Sequence, residues 1–462
     1  MGSYQTYLRV AFAFLVVVPT GGVFLTHTGS VLAAVDGDES AAENPVVHEP
    51  DELRAAENLT IVTAHYNDEK NGSLTAFAGD GDVVYETRAY QRIFDVDPVP
   101  GEAYTVTYVG SSVRPNSKCK LGPGSSLNCV RNVVERLNLS TGESERVYTY
   151  EVVTRHSHDS VHDVDRIDDS HYLVADIFHN RVFVVNTSSN VITWEWRARS
   201  EFPYSTGGPI RDWTHLNDVE YLEDQNVVMA DPRNHDQVWF IHRERGLLEN
   251  RTLGADDDHD TLYEQHNPDY IPEERGGPAA VIADSENNRI VEYQRENESW
   301  TRTWTWRDAK MEWPRDADRL PNGRTLITDT HSNRVFEVNR QGEIVWQVSM
   351  AKPYEAERLG TGDESAGGAS ATALDYESRT PGITTDDSGD ANRGLGAQVY
   401  GAVRSLVPSK LYHGLKWVIP AWMGLFDVLL TALSGVSLAA WALAELYWTD
   451  RVSVRSPVRL RL

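Results

Sequence analysis

The 462-residue sequence has few cysteines and few lysines, and it contains no glycine-rich phosphate-binding string of the G-x-G-x-x-G or G-x-x-x-x-G-K-[ST] type. Nothing in it therefore points to nucleotide chemistry. The two cysteines, Cys119 and Cys129, enclose a loop rich in Gly, Pro, Ser and Asn. Their spacing excludes a C-x-x-C metal site and suits a small surface disulfide in an oxidising compartment.

Positive charge is also scarce. The chain has 43 basic residues, seven of them lysine, against 69 acidic residues, and its formal net charge is -26. Such a field repels nucleic acid and anionic lipid, which argues against nucleic-acid binding. Scattered acidity with little lysine is typical of a halophile's solvated surface, where molar salt screens the self-repulsion, and an ordinary acidic protein is the alternative.

Two apolar segments bracket the chain and predict attachment to a membrane. Residues 1–35 are either a transmembrane anchor or a signal segment, because the apolar run could span a bilayer and Leu32–Ala34 also suits cleavage. Residues 417–448 predict a transmembrane helix, and the arginines of the tail at 449–462 place that tail in the cytoplasm. Residues 400–416 carry apolar side chains at helical spacing and predict an amphipathic juxtamembrane segment.

Between these segments we expect an acidic spacer at 36–58, a folded domain at 59–350 and a flexible linker at 351–399. The linker prediction rests on a composition rich in Gly, Ser, Thr and Asp. The topology places the folded domain outside the cytoplasm. Six Asn-x-Ser/Thr sequons agree with that location, at Asn58, Asn71, Asn138, Asn186, Asn250 and Asn297.

The folded domain contains a repeat of short apolar runs with a period of two. Four explicit copies begin at His162, His215, His266 and Trp313, and two degenerate copies precede them. The starts are spaced by about 50 residues, which is the length of one four-stranded propeller blade. The sequence therefore predicts an all-β fold, a six-bladed β-propeller with flanking N- and C-terminal transmembrane helices. Residues at equivalent repeat positions should then meet around one central channel.

Three of the four repeat starts are histidines, and Arg233 follows in a turn of the copy that begins at His215. Each of these side chains could simply satisfy local hydrogen bonds, and Arg233 could pair with a nearby acid. A zinc site built from His162, His215 and His266 is chemically possible, but an arginine aimed at the same centre would oppose a cation. The acidic run Asp256–Asp260 lacks EF-hand spacing, and we predict no metal site.

Histidines beside an arginine suit the transfer of a tetrahedral oxyanion group. Arginine offers a fork of donors to sulfate or phosphate oxygens. A neutral imidazole is a competent nucleophile, and a neighbouring guanidinium helps to keep it unprotonated. These residue types therefore favour covalent group transfer through a histidine.

The string DWTHLNDVEYLEDQNVVMADPRNHDQVWFI at 212–241 resembles the D-W-x-H-x-N-x-V…R-[NH] blade of the bacterial arylsulfate sulfotransferases, the arylsulfotransferase family. HDVDRI at His162 and EQHNPDYI at His266 resemble further segments of that family, and WPRDADRLPNGRTLITDTHSNRVFEV is typical of it and of its archaeal relatives. The resemblance covers about residues 159–348.

The resemblance implies a sulfuryl transfer from an aryl sulfate to a phenol that needs no phosphoadenosine phosphosulfate or other cofactor. His266 would be the sulfated nucleophile, Arg233 and His215 would stabilise the sulfuryl oxygens, and His162 would handle the phenolic proton. Asn217, Trp213 and Arg315 are expected to bind the substrate. We therefore predict a membrane-anchored enzyme outside the cytoplasm.

Three acids depart from the family pattern and add negative charge near the expected anion site, namely Asp218, Asp231 and Asp269. We expect them to weaken sulfate binding unless they point away or salt screens them. Two other functions stay open: a propeller without enzymatic activity that binds a ligand or partner in the cell envelope, and a metal-dependent hydrolase or lactonase.

Overall fold

The computed structural model describes residues 2–26, 47–65, 71–114, 127–154, 160–365, 367–380, 407–416, 418–419 and 423–448. It divides into two compact units, one of residues 42–389 and one formed by the two ends of the chain. The first unit consists mostly of antiparallel strands in six sheets, so the predicted six-bladed β-propeller is confirmed.

The strands follow the chain from blade to blade. Blade 1 contains β1 (Val47–His48), β2 (Thr60–Ala64), β3 (Ser73–Phe77) and β4 (Val83–Thr87), and blade 2 contains β5 (Arg92–Pro98), β6 (Thr105–Arg114), β7 (Asn128–Asn138) and β8 (Glu143–Thr154). Blade 3 contains β9 (Val164–Arg166), β10 (His171–Asp176), β11 (Arg181–Asn186) and β12 (Val191–Arg197). Blade 4 contains β13 (Leu216–Leu222), β14 (Val227–Pro232), β15 (Gln237–His242), β16 (Gly246–Leu247) and β17 (Leu253–Gly254). Blade 5 contains β18 (His266–Ile271), β19 (Ala279–Asp284), β20 (Arg289–Glu296) and β21 (Ser299–Trp306), and blade 6 contains β22 (Pro314–Arg319), β23 (Thr325–Asp329), β24 (Arg334–Val338) and β25 (Ile344–Ser349).

The ring is closed by a last strand, β26 (Pro353–Arg358), which pairs with β2 as the innermost strand of blade 1. The prediction of a flexible linker at 351–399 is therefore wrong for this strand. All six of its residues are buried, because the alternating pattern PYEAER completes an inner sheet edge that β2 would otherwise leave unpaired. The folded domain accordingly extends past the predicted boundary at residue 350.

Residues 367–380 also pack on the propeller, against blades 5 and 6. The Ala371 N–H donates to the carboxylate of Glu292 at 2.7 Å, and Trp306 pairs with Arg379 in an isolated bridge. Composition alone did not predict this docking, because a few side chains such as Ala371 and Tyr376 anchor a segment that is otherwise poor in apolar residues. The rest of the predicted linker, at 381–399, lies outside the described residues.

Apolar side chains of adjacent blades form the core. Between blades 3 and 4, for example, Leu173 and Val184 share a buried cluster with Val228, Ala230 and Trp239. Each strand buries alternate residues against one neighbouring blade and the intervening residues against the other, so nearly continuous apolar runs result. This packing fixes the blades around the channel.

The helical unit contains α1 (Gly2–Thr26), α3 (Ser409–Lys416) and α4 (Leu425–Trp448), whereas a short helix, α2 (Pro50–Ala55), belongs to the propeller unit. One stretch of α4, Asp427–Trp448, is long and apolar enough to cross a membrane. Asp427 lies in the first turn of α4 and accepts the Gly424 N–H at 2.8 Å.

Helices α1 and α4 pack against each other through polar contacts. Arg9 Nη2 donates to Glu445 Oε2 at 2.7 Å, and Thr20 Oγ1 donates to Ser434 Oγ at 3.2 Å. The possible cleavage site at Leu32–Ala34 and the basic tail lie outside the described residues. Cys129 on β7 is disulfide-bonded, and its predicted partner Cys119 also lies outside them.

Replacing Arg319 by methionine should test how strongly the 367–380 segment is held. Arg319 is fully buried, pairs with Glu292 at 2.8 Å and lies over the ring of Tyr376 at 3.9 Å. Arg319→Met leaves a buried carboxylate unpaired, so the free energy of unfolding should fall by about 3 kcal/mol or more. Chemical unfolding of the full-length chain in detergent, followed by circular dichroism, measures this. Arg302→Met, at an exposed position, is the matched control, and an equally small effect of both substitutions would contradict the expectation.

Candidate functional site

A four-residue string recurs on all six innermost strands: FDVD at 94–97, HDVD at 162–165, NDVE at 217–220, HNPD at 266–269, RDAD at 315–318 and YEAE at 354–357. Strand register shifts by one residue near the start of several of these strands, for example between Ile93 and Val96 and between Pro314 and Asp316. Such a bulge lets two consecutive side chains face the channel. The first residue of each string therefore forms an upper layer above the acidic residues.

Ring contacts show that the upper layer is a cluster drawn from several blades. The His162 ring lies 4.1 Å from Phe94 and 5.5 Å from His215, measured between ring centroids. Tyr354 contacts both His162, at 6.1 Å, and His266, at 6.4 Å. Tyr354 thus contacts two of the three predicted histidines, and His215 joins the cluster through His162.

Arg315 adds a positive charge to the same cluster. Its guanidinium carbon lies 4.3 Å from the Tyr354 ring centroid and 4.5 Å from that of Trp313, which in turn contacts the His266 ring at 5.5 Å. Stacking on two aromatic faces orients the guanidinium and shields it from water. Arg315 lowers the pKa of His266 and, to a smaller degree, that of His162.

Hydrogen bonds determine which nitrogen of His266 carries the proton. His266 Nδ1 lies 2.7 Å from Ser285 Oγ, and that hydroxyl donates its single proton to the carbonyl oxygen of Pro314 at 2.7 Å. Ser285 must therefore accept a proton from Nδ1. The lone pair of the neutral imidazole then resides on Nε2, which is buried and has no hydrogen-bond partner among the described residues. This is the arrangement that a histidine nucleophile requires.

The other two histidines are oriented in the same way. His162 Nδ1 lies 3.0 Å from the carbonyl oxygen of Ser160, and His215 Nδ1 lies 2.6 Å from Asp212 Oδ1. A carbonyl or carboxylate oxygen can only accept, so both Nδ1 atoms donate and both Nε2 atoms keep a lone pair in the neutral form. Arg233 Nη2 lies 3.5 Å from the second oxygen of Asp212, so this aspartate links His215 to Arg233.

Burial and positive neighbours keep the three imidazoles neutral. Burial is the largest cause of the lowered pKa of His162, His215 and His266, and the guanidinium of Arg233 lowers the pKa of His215 further. Burial opposes the ionisation of Asp212, but His215 and Arg233 outweigh it and lower the pKa of that carboxyl. The site therefore combines neutral imidazoles with arginines and one ionised carboxylate.

His215 occupies a different repeat position from His162 and His266. Asn217 is its blade's counterpart of those two residues, and His215 lies two residues earlier, where blades 6 and 1 have Trp313 and Lys352. His215, Trp313 and Lys352 all have positive φ values, of 48°, 59° and 48°. A non-glycine residue in this region is strained, and here it turns the chain into the channel mouth. The convergence is therefore real, although the repeat positions are not all equivalent.

The residues predicted to bind substrate fall into two groups. Arg315 and Asn217 belong to the upper layer of the channel. Trp213 is instead buried in the core of blades 3 and 4, where its indole N–H donates to the Thr206 carbonyl at 2.6 Å and its ring contacts His235. The Trp213 ring therefore fills core space, and its contact with a substrate stays a prediction.

The acids that depart from the family pattern are buried close to the site. Asp231 Oδ1 accepts from Gln265 Nε2 at 2.6 Å, and burial is the main cause of the raised pKa of both Asp231 and Asp218. A neutral carboxyl does not repel an anion, so the expected penalty on sulfate binding is smaller than the formal charges imply. On the neighbouring blade, Pro268 lacks the N–H that other blades offer to such a carboxylate, and Asp218 Oδ2 has no partner.

Sequence reasoning missed Tyr354, Phe94, Ser285 and the acidic layers. Tyr354 lay in the presumed linker, and Ser285 is a lone serine in a turn. A detectable signal did exist, because an acid follows the upper-layer residue in five of the six strings.

Among the described residues, three groups have metal-ligand atoms within 4.8 Å of one another, and none includes His162, His215 or His266. The three imidazoles are therefore not spaced to share one metal ion.

No protein-family model matches the sequence, and no curated protein matches it. Solved structures with a similar fold include a protein of unknown function from Bacteroides caccae, with a TM-score of 0.44, 10% identity, and coverage of 66% of this chain and 100% of the other. A putative 6-phosphogluconolactonase from Bacteroides fragilis has a TM-score of 0.42 and 11% identity, covering 65% and 97%. The periplasmic gluconolactonase of Pseudomonas aeruginosa has a TM-score of 0.41 and 13% identity, covering 66% and 99%. Scores this low carry no argument about function, and the sheets themselves define the class of protein as a six-bladed β-propeller.

The channel carboxyls predict a stability that falls as the pH rises. Burial raises the pKa of Asp163 to about 7, whereas an unfolded aspartate titrates near its ordinary value of about 3.9. Between these values the folded chain holds a proton that the unfolded chain has lost, so the stability from Asp163 is complete at low pH and disappears as the pH rises through about 7. Asp163→Asn should remove up to about 1 kcal/mol per pH unit from the slope of unfolding free energy over this interval. Denaturant titrations from pH 4 to pH 7 measure it, with the fully exposed Asp169→Asn as control, and equal slopes in wild type and Asp163→Asn would contradict it.

Proposed function

We propose that the protein is a sulfuryl transferase that moves sulfate from an aryl sulfate to a phenol through a covalent histidine intermediate. The observation that carries this proposal is the buried lone pair of His266 Nε2 within the cluster of His162, His215, Arg233 and Arg315. The resemblance to the arylsulfate sulfotransferases supports it further. In both half-reactions, positioning and fixed positive donors would supply most of the rate.

In the first half-reaction His266 Nε2 attacks the sulfur of the donor. A nitrogen–sulfur bond forms, the bond between sulfur and the aryl oxygen breaks, and the aryl oxygen leaves with that electron pair as a phenolate. The ring keeps its Nδ1 proton, which Ser285 accepts as a hydrogen bond. Loss of the Ser285 hydroxyl would leave this proton without its acceptor.

In the second half-reaction the acceptor phenol attacks the same sulfur. His162 Nε2 takes the phenolic proton, the oxygen–sulfur bond forms, and the nitrogen–sulfur pair returns to His266. The hydrogen bond from His162 Nδ1 to Ser160 gives the ring the tautomer that a general base needs. The proton on His162 can then protonate the next leaving phenolate, which completes the cycle.

Arg233 and Arg315 are the proposed donors to the sulfuryl oxygens, since both act electrostatically on His266. His215 can donate from Nε2 only as an imidazolium. A bound anion and the carboxylate of Asp212 both favour that protonated form. His215 therefore stabilises the sulfuryl group when the substrate is present, and Asn217 is a further candidate for contact with it.

Aromatic side chains support an aryl substrate. Phe94 and Tyr354 flank His162 on two sides, and their ring centroids lie 5.3 Å apart. Their π faces can stack on a planar aryl group. His266 is fully buried, whereas His215 and Arg233 keep 17% and 13% of their side-chain surface exposed. Substrate entry thus requires side chains at this mouth to move aside.

We place the propeller outside the cytoplasm on a membrane anchor. A disulfide-bonded Cys129 supports an oxidising compartment, and α4 supplies a possible span. The bonds of Arg9 and Thr20 to α4 favour α1 as a retained anchor over a cleaved signal. A transferase that takes sulfate from an aryl ester needs no nucleotide donor there.

His266→Ala should abolish transfer from 4-nitrophenyl sulfate to phenol, because it removes the nucleophile. The full-length chain is assayed in detergent at low and at molar salt, and the loss should exceed about a thousandfold in kcat. His242→Ala, remote from the cluster, is the control. Mass spectrometry of wild type incubated with donor alone should show a sulfated peptide that contains His266. Equal, measurable transfer by wild type and His266→Ala would rule out His266 as the nucleophile. No transfer by either chain, together with an unsulfated peptide, would favour a propeller that only binds ligands.

Ser285→Ala should slow sulfation of His266 about tenfold or more, since the Nδ1 proton loses its acceptor and the reactive tautomer is no longer favoured. Single-turnover sulfation with excess enzyme measures the rate, and the KM for the donor should change little. Ser285→Thr keeps the hydroxyl and should restore most of the rate. If Ser285→Thr is as slow as Ser285→Ala, the hydroxyl does not position His266.

A further inference from the structure

Two layers of acidic side chains lie in the channel below the upper-layer residues. The first layer contains Asp95, Asp163, Asp218, Asp316 and Glu355, with Asn267 in the remaining blade, and the second contains Asp97, Asp165, Glu220, Asp269, Asp318 and Glu357. Burial is the largest cause of the raised pKa of Asp95 and Asp97, and neighbouring carboxylates raise both further. The proposed transfer reaction makes no use of this concentration of acids.

Part of the acidic composition has a structural explanation. One oxygen of several first-layer carboxylates accepts a backbone N–H from the next blade: Asp95 from Val164 at 3.1 Å, Asp163 from Val219 at 2.6 Å, Asp316 from Ala356 at 2.9 Å and Glu355 from Val96 at 3.0 Å. An asparagine could accept the same N–H without a charge. The hydrogen bonds therefore account for one oxygen of Asp95, Asp163 and Asp316, and for both oxygens of Glu355, whose Oε2 also accepts from Asn267 Nδ2 at 3.1 Å. They do not account for the acidity of these side chains.

Two of the remaining oxygens are buried. Asp95 and Asp97 are 0% and 5% exposed, and within the described part of the chain Asp95 Oδ1 and Asp97 Oδ2 accept no hydrogen bond from an amide, hydroxyl or basic group. An unsatisfied buried carboxylate oxygen is costly, and in a native protein it calls for a bound partner. Ligand atoms of Asp95, Asp97 and Glu355 lie within 4.8 Å of one another, so one ion could serve all three.

We propose that Asp95, Asp97 and Glu355 bind a hard divalent cation of the calcium class in the channel. An all-oxygen set of carboxylates is the donor set that Ca²⁺ prefers, and the ion's flexible coordination tolerates added water or a further carboxylate such as Asp163. This site departs from the expectation of no metal. It does not depend on the proposed sulfuryl transfer.

The location suggests what the cation does. Asp95 and Asp97 lie on β5, the first strand of blade 2, and Glu355 lies on β26, the strand that closes blade 1. A cation bound by both strands links the closing strand of blade 1 to blade 2 and offsets the repulsion between their carboxylates. The bound cation thus stabilises the closed ring.

A second group, Asp269, Asp318 and Glu364, lies on the other side of the channel. Among the described residues, Asp269 Oδ1 and Asp318 Oδ2 also have no hydrogen-bond partner. We prefer the first group because all three of its ligands are buried, whereas Glu364 is only partly buried. A third group, Asp236, Asp257 and His259, is largely exposed and includes part of the acidic run at 256–260.

The test compares the melting temperature of the full-length chain in detergent after EDTA treatment, with and without added CaCl₂. Calcium should raise Tm by about 5 °C, because a ligand that binds the folded state alone stabilises it. The double variant Asp95→Asn/Asp97→Asn keeps the shapes and the N–H acceptor but should lose this shift. The exposed Asp257→Asn should keep it. Glu355→Gln, which retains the acceptor for Val96, is the second variant should the double variant fail to fold.

Two results would overturn the proposal. In the first, the Tm of the EDTA-treated wild type does not change when CaCl₂ is added. After dialysis against CaCl₂, elemental mass spectrometry also finds no calcium in the protein. In the second, calcium still raises the Tm of Glu355→Gln and of the double variant, but no longer raises that of Asp257→Asn or of Asp269→Asn/Asp318→Asn. The ion would then bind at another site. A shift obtained with MgCl₂ but not with CaCl₂ would contradict the calcium class.

Discussion

The hydrogen bond that a backbone N–H donates to a channel carboxylate of the preceding blade is the interaction on which the rest of the structure depends. It crosses five of the six blade boundaries. The innermost strands have no outer neighbour on the channel side, so their free N–H groups need an acceptor that sheet pairing cannot supply. Side-chain carboxylates supply it. The same bonds hold the upper-layer side chains at a constant height around the axis.

This arrangement places acids directly beneath the proposed anion site, where ionised carboxylates would repel the substrate. Burial reduces this repulsion. Desolvation disfavours the charged form of both kinds of group, so it raises the pKa of carboxyls such as Asp218 and lowers that of imidazoles such as His266. Asp218 and Asp231, the acids nearest the anion site, therefore repel an anion less, while the histidines keep the lone pairs that a nucleophile and a base require. Arg233 and Arg315 supply the positive charge, because a guanidinium stays protonated under these conditions.

Ring closure connects the fold to the site. β26 completes blade 1 and carries Tyr354, the residue that touches both His162 and His266. It also carries Glu355, which accepts from the backbone of β5. Loss of this strand would thus both open the ring and remove Tyr354 from the histidine cluster. The composition of the segment does not predict this strand, because its six residues are followed by a stretch rich in small polar residues.

The sequence by itself determined the all-β class, the number of blades and the identity of most charged residues in the channel mouth. Periodicity of two and a repeat of fixed length are local properties, and equivalent positions of a closed repeat must meet. Only the tertiary structure decided that β26 closes the ring, that Trp213 belongs to the core and that Ser285 sets the tautomer of His266. These facts depend on contacts between residues far apart in the chain. A bulge, a positive φ at His215 and a hydrogen bond between blades cannot be predicted from the sequence period, because they depend on packing and not on residue spacing.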